Sequence, residues 1–521
     1  MNLKIKSSGY TGIDNYLVDI EMDIGNGIPS FYIIGLGDMA VSESKERVRI
    51  ALKSLDVTLS QKKIIVNLSP ASQKKEGAHY DLGIAIGLLI GLGEVSDIKK
   101  ILDSYLFLGE LSLNGEIKGV KGAIGTAILA KELNYKGIVI PNENLEEVLL
   151  VPDIEIVGVG MLKDLKTLFQ DYNNYIDTNT KRVNSILELK KMKEKDKNKI
   201  GENDFSDVKG QKMAKRALEI AVAGGHNILM IGSPGSGKSM LAKRVASIMP
   251  SMSIEETIEC TKIYSIAGEL SKENPFLIKR PFRAPHHTGT IASIIGGGKT
   301  LKPGEITLAH NGVLFLDELS EFNKEILESL RQPLEDRKVF ISRIGYKIEL
   351  PANFLLIGAS NPCNCGYYNV SNPTRNENYR CTCTAGEIAK YKRKLSGPLL
   401  DRIDLYIPVS PLNKDELTTD KKEEGSLEIK KRINSVREIQ YKRYKESKTN
   451  SLMTQKEIKK YCKLSQECLE IIENVIERLG ISARSYDKIL KVARTIADLE
   501  NNKIIEKHHL FEAISYRKKE M

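Results

Sequence analysis

The sequence predicts an α/β multidomain chain: a mixed α/β domain over 1–175, a parallel-stranded core over 204–412 and an all-helical region over 413–521. Three observations predict this division. In the middle, the apolar run Ile228-Leu229-Met230-Ile231 feeds Gly232-Ser233-Pro234-Gly235-Ser236-Gly237-Lys238-Ser239, with a helix expected through Met240, Leu241 and Val245. Ahead of it, short apolar runs at 31–34, 64–68 and 137–141 alternate with helical patterns at 41–55, 81–92 and 125–133. Beyond Ile407-Pro408 the strand pattern ends, and Ile429, Ile433, Val436 and Ile439 fall near helical spacing among many basic residues.

Size and composition agree with this division. A chain of 521 residues has room for about three domains, each with its own core. No apolar stretch reaches the ~18 residues of a membrane span, the longest (82–92) being short and broken by glycines. The N-terminus lacks the apolar region of a signal peptide. Seven cysteines, an odd number, suit the reduced thiols of a cytoplasmic protein. The net charge of +10 fits a polyanionic partner without identifying one.

In the first domain, Gly35-Leu36-Gly37-Asp38-Met39-Ala40 imitates the G-x-G-x-x-A dinucleotide fingerprint. The next strand ends at Asn67-Leu68-Ser69 without the acid that would hold a ribose hydroxyl, so a tight strand-to-helix turn is expected instead. Asn114-Gly115 marks a hairpin. The run from Leu108 to Lys118, with Ala130-Lys131 and Ile140-Pro141, resembles the Lon/S5-like proteolytic domain of Lon proteases. That chemistry needs a serine activated by a lysine. His79 stands where the serine belongs and the lysine position falls near Ile124, so the resemblance implies the fold used for assembly or binding, not proteolysis. Residues 176–203 then read as a basic linker, with eight Lys or Arg against three acids between Lys181 and Lys199. A solvated connector is the simpler reading; a DNA-touching arm is the other.

The loop from Gly232 to Ser239 is a complete G-x-x-x-x-G-K-S in strand–loop–helix context. Its glycines let backbone N–H groups wrap phosphates, aided by the helix start. Lys238 would reach the β and γ phosphates, and the Ser239 hydroxyl would ligate Mg²⁺. Gly312-Val313-Leu314-Phe315-Leu316-Asp317-Glu318 delivers two carboxylates to a strand end. Asp317 would hold Mg²⁺ and Glu318 would polarise the attacking water. Another buried strand, 354–360, ends at Asn361, placed to orient that water from the opposite side.

This pattern is that of AAA+ ATPases, with Asn361 as sensor 1. With Arg280-Pro281-Phe282-Arg283-Ala284-Pro285-His286-His287-Thr288, Ile295-Gly296-Gly297-Gly298 and Leu308 to Glu318, the chain resembles the YifB/ComM family of magnesium-chelatase-like AAA+ proteins over nearly its whole length. The resemblance implies an ATP-hydrolysing ring, usually a hexamer, working with ATP and Mg²⁺. It makes Arg402, in Leu399-Leu400-Asp401-Arg402, the finger offered to a neighbouring subunit; an intrachain pair with Asp401 or Asp404 is the plainer alternative. It makes Arg484 the sensor-2 arginine reaching its own chain's phosphates, against a plain surface arginine at a helix start. ComM relatives imply DNA as the polymer, with a helicase or branch-migration role and recombination proteins as partners. A chelatase-like ATPase remodelling a protein partner, and a slow regulatory scaffold, are the other classes.

Two further features stand apart. Residues 337–348 alternate basic and apolar side chains around Gly345, a hairpin whose Arg343 and Lys347 would track phosphates if it faces a pore. Cys363-x-Cys365 and Cys381-x-Cys383 lie fifteen residues apart within an insertion at 363–383. Four thiolates suit tetrahedral Zn²⁺, although C-x-C is tighter than the usual knuckle and leaves unliganded or redox-active thiols open. His286 and His287 lack a third ligand and are expected to shape a loop. Cys260, Cys462 and Cys468 read as ordinary thiols.

Overall fold

The computed structural model describes residues 3–59, 62–95, 99–171, 175, 180–181, 204–298, 302–343, 346–369, 380–412, 416, 418, 423–479 and 482–517. The basic linker, apart from 180–181, lies outside them, as do the hairpin turn 344–345 and the stretch 370–379. The chain forms two compact units, 1–197 with 253–278 and 300–303, and 198–252 with 279–299 and 304–521.

The first unit opens with two long antiparallel strands, Leu3–Thr11 and Asp14–Asn26. Val18, Ile20 and Met22 are buried and alternate with acidic Asp19, Glu21 and Asp23. This is the period of a strand with one wet face. Lys62–Ser69 pairs next, and Ser30–Ile34 forms the parallel edge. Between those two, helix Met39–Lys53 starts at Asp38, whose carboxylate accepts from the Val41 N–H. The imitation fingerprint is a turn held by packing: a Cβ on Gly35 would lie 2.3 Å from the Leu68 carbonyl oxygen.

The apolar run too short for a membrane is helix Asp81–Gly91, buried along most of its length. Gly83, Gly87 and Gly91 lie one turn apart over Ile20, Met22 and Ile24, and a Cβ on each would sit 2.3–2.5 Å from those side chains. Glycine at this spacing lets the helix backbone settle onto the strand. A second sheet orders Thr180–Lys181, Glu155–Val159, Gly137–Pro141 and Tyr105–Phe107. The Asn114-Gly115 turn closes a short hairpin, Glu110–Leu111 with Ile117–Lys118. His79 is wholly buried and kept neutral, its pKa pushed down to about 4 by burial, and Ile124 is buried among apolar groups. Neither residue can serve as the serine or lysine of a Lon dyad.

The second unit is built on a parallel sheet in the spatial order Phe282–Arg283, Val313–Leu316, Leu355–Ser360, Ile228–Ile231, Leu405–Pro408. Central strands buried on both faces explain the unbroken apolar runs. Helices Ser426–Tyr444, Gln455–Tyr461, Gln466–Leu479, Ala483–Leu499 and Lys507–Ser515 follow. Thr454 and Ser482 cap two of them. Ile228, Ile357 and Leu405 of the sheet share one core with Ile433, Ile489 and Leu510 of these helices. Among the described residues, no helix is long and apolar enough to cross a membrane.

Asp404 fastens the helices to the sheet. Its carboxylate accepts from the Asn227 N–H (3.1 Å), pairs with Lys488 of helix Ala483–Leu499 (2.9 Å) and lies 3.5 Å from His226. Burial alone would raise this carboxyl, but Lys488 and His226 outweigh it and hold it far below the ordinary range. Asp404→Asn leaves a buried ammonium unpaired, so a loss of about 3–5 kcal/mol is expected in chemical denaturation at pH 7. A depressed folded pKa stabilises above the unfolded value, near 3.8. The gap between variant and parent should therefore persist down to about pH 4 and close as the pH falls further.

Candidate active site

The loop between strand Ile228–Ile231 and helix Lys238–Ile248 is fixed by close backbone approach. The Gly232 N–H donates to the Ser360 carbonyl (3.2 Å), and a Cβ on Gly232 would lie 2.1 Å from the Val409 carbonyl oxygen. Gly235 and Gly237 have φ of +75° and +92°, and beyond each lies open space. The loop therefore presents its backbone outward, with no side chain between it and a ligand.

Lys238 folds back into the loop. Its ammonium donates to the Gly232 and Ser233 carbonyls (both 2.8 Å), to Ser236 Oγ (3.4 Å) and to Asn361 Oδ1 (3.3 Å). Burial lowers its pKa, opposed by Asp317 and Glu318. Neighbouring strands in register, Ile231 beside Ser360, bring Asn361 to this ammonium.

Ser239 Oγ donates to Asp317 Oδ2 at 2.6 Å. A hydroxyl and a carboxylate this close, at the mouth of a phosphate loop, form the oxygen donor pair that Mg²⁺ takes from a protein while keeping waters and phosphates. The residues fit the ion. Glu318 follows with φ of +49°, a backbone conformation that costs a non-glycine residue of order 1–3 kcal/mol. Its own N–H donates to Asp317 Oδ1 (3.0 Å), and its half-exposed carboxylate turns away toward His287, whose Nδ1 lies 3.4 Å from Glu318 Oε2. His287 is the loop residue expected, but the spacing gave no hint of this contact.

The two arginines lie together. Arg402 donates to Glu335 and to the Pro398 carbonyl (2.8 Å), while Arg484 donates to the other oxygen of Glu335 (2.7 Å) and lies 3.8 Å from Asp401. Arg402 thus has an intrachain partner, but it is neither Asp401 nor Asp404. Arg484, expected at its own chain's phosphates, lies beside Arg402 on the shared carboxylate of Glu335. Glu335 escaped the sequence reading because its partners are 67 and 149 residues away.

The remaining candidates fall as follows. Strands Lys338–Arg343 and Tyr346–Pro351 pair antiparallel as the expected hairpin, with Val339, Ile348 and Leu350 buried and Lys347 exposed. The Arg343 side chain lies outside the described residues. The four thiols of Cys363, Cys365, Cys381 and Cys383 converge, all within 4.8 Å of one another. All seven cysteines are free thiols.

Three family descriptions match the chain: "Magnesium chelatase, subunit ChlI" over 204–417, "Subunit ChlI of Mg-chelatase" over 20–144 and "Magnesium chelatase, subunit ChlI C-terminal" over 423–517. Competence protein ComM of Haemophilus influenzae is 40% identical over 517 residues, covering 98% of this chain and 97% of that protein. Protein YifB of Escherichia coli is 40% identical over 516 residues, covering 97% and 95%. Lon protease 2 of Bacillus subtilis is 28% identical over 183 residues, 31% of this chain and 33% of its own.

Lys238 carries the charge that the loop offers a phosphate. Charge-assisted hydrogen bonds contribute about 1.5–3 kcal/mol each. Lys238→Ala is therefore expected to weaken binding of a fluorescent ATP analogue by roughly 10–100-fold, with circular dichroism unchanged. Unaltered affinity would contradict the placement.

Proposed function

The chain belongs to the YifB/ComM family of magnesium-chelatase-like AAA+ ATPases, and from that premise we propose that it is a cytoplasmic, ring-forming motor that hydrolyses ATP to act on DNA. The observation that carries the ATPase reading is the constellation of Lys238, Ser239, Asp317, Glu318 and Asn361 around one open loop. Support for DNA comes from the likeness to a protein named for competence and from the hairpin that carries the exposed Lys347.

In this reading the loop N–H groups from Gly232 to Ser239 bind the phosphates, and Lys238 exchanges its carbonyl partners for phosphate oxygens. Ser239 and Asp317 would hold Mg²⁺, which neutralises phosphate charge when bound. Glu318 accepts a proton from the attacking water, its carboxylate first leaving His287, and Asn361 orients that water. Arg402 and Arg484 flank one carboxylate, so they reach the same nucleotide, that of a neighbouring copy; Glu335 holds them until phosphate takes its place. The active form in this reading is a homo-oligomer, a hexamer by the habit of the family. A structural Zn²⁺ at the four thiols completes the inventory.

Matches to a magnesium-chelatase subunit along most of the chain favour a second reading, a motor that remodels a protein partner. ATP hydrolysis measured with and without single-stranded and forked DNA separates them. The DNA reading expects stimulation and binding that weakens steeply with salt; the absence of both effects would overturn it in favour of a protein substrate. Glu318→Gln should keep ATP binding while lowering turnover by about 10²-fold or more, and should abolish any branch migration. A regulatory scaffold would keep its function with hydrolysis stopped.

A further inference from the structure

The insertion at 363–383 touches the site at three places. Asn361, which accepts from Lys238, is joined to Cys363 through Pro362 alone. Gly366, with φ of +87°, lies so close to Pro234 of the phosphate loop that a Cβ would stand 2.5 Å from its ring. From the other pair, Cys383 leads directly into the capping residue Thr384 of helix Ala385–Lys392. That helix carries Tyr391, whose hydroxyl accepts from Ser320, two residues beyond Glu318. Ser360, at the end of the sheet strand, donates to the same Ser320 (3.3 Å).

The sulfur atoms have the spacing of a tetrahedral thiolate centre. Zn–S bonds of ~2.3 Å at the corners of a tetrahedron separate the sulfurs by about 3.8 Å. Cys363 Sγ lies 3.3 Å from Cys365 Sγ and 3.8 Å from Cys381 Sγ, and Cys365 Sγ lies 3.6 Å from Cys381 Sγ. The Cys365 N–H points at Cys383 Sγ from 3.4 Å, the kind of backbone donor that steadies a metal-bound thiolate. Disulfides, with sulfurs ~2 Å apart, do not fit these separations. Cys363 is buried and the other three are partly exposed, so an ion would seal the inner side of the cluster while its outer side stays open to exchange.

We propose that these four thiolates bind one Zn²⁺ ion that clamps Asn361, Pro234 and the Glu318 turn into a single frame, so that nucleotide affinity depends on the metal. Without the ion, the pairs 363–365 and 381–383 are tied only by weak thiol contacts, and each of the three attachments can shift independently. Four thiolates fill the tetrahedral coordination of Zn²⁺, which makes this a closed structural site and not one with an open coordination position. The proposal rests on the loop at Gly232–Ser239 being a nucleotide site.

The test uses the full chain purified under reducing conditions. Elemental analysis should find about one zinc per chain, and Cys381→Ser and Cys383→Ser should each lose it. Mercurial treatment followed by chelation and thiol recovery should strip the ion and weaken binding of a fluorescent ATP analogue by about tenfold or more, with far-ultraviolet circular dichroism retained. Re-addition of Zn²⁺, but not Mg²⁺, should restore the affinity. A chain that carries no zinc and takes up none, or one that carries iron, overturns the proposal. So does a stripped chain that binds the analogue as tightly as the loaded one. If the zinc-loaded chain binds zinc stoichiometrically and no nucleotide, the nucleotide reading fails instead.

Discussion

Adjacent parallel strands in register, Ile231 beside Ser360, hold the candidate site together. The Gly232 N–H continues that ladder by one bond to the Ser360 carbonyl, and the chain then turns away into the loop. Everything polar in the site hangs from this pair. Asn361 follows Ser360, Lys238 closes the loop that Gly232 opens, and Val313–Leu316 on the far side delivers Asp317. Strands ending level at one edge of a parallel sheet present their loops together, which is why ligands gather at the carboxyl ends of such sheets. The glycine at 232 is fixed by the Val409 carbonyl at its back. Any side chain there would part the loop strand from Leu405–Pro408.

Charge is held in compensated pairs throughout. Lys238 is sheltered by carbonyls, Asp317 by Ser239, Glu318 by His287, and Arg402 with Arg484 by Glu335. Each partner is an internal substitute for a group that ATP, magnesium or water supplies in the proposed reaction. A carboxylate between two guanidinium groups has the same sign as a phosphate and takes the same paired N–H bonds from arginine. Among the described residues, the pair at Glu335 makes no hydrogen bond to the loop of its own chain.

Much of this was legible in the sequence. Ile228–Ser239 and Gly312–Glu318 were readable because buried parallel strands are apolar throughout and end at residues with unmistakable chemistry. The hairpin of Leu3–Thr11 with Asp14–Asn26 passed unread. Its alternation of Val18, Ile20 and Met22 with acids was plain, but Ser7 and Ser8 are buried polar residues that blur the first strand. Helix Ile254–Ala267 was hidden for another reason: it lies within the core by sequence yet belongs to the first compact unit. Ion pairs were the least legible. Local spacing names Asp401 and Asp404 as partners of Arg402, while the fold assigns Asp404 to Lys488 and brings Glu335 from a distant helix. Sequence proximity carries little information about charges whose elements meet only in the folded sheet.

The central claim is that one nucleotide is served by two chains, the loop from one and the arginines from another. Mixing two inactive variants tests it directly. Lys238→Ala lacks a working loop but keeps its arginines; Arg402→Ala keeps the loop but lacks the finger. The account predicts that each alone has little ATPase activity and that an equimolar mixture regains a substantial fraction, because mixed interfaces join an intact loop to an intact arginine. Activity that stays at the level of the separate variants, in a mixture shown to co-assemble, would contradict it.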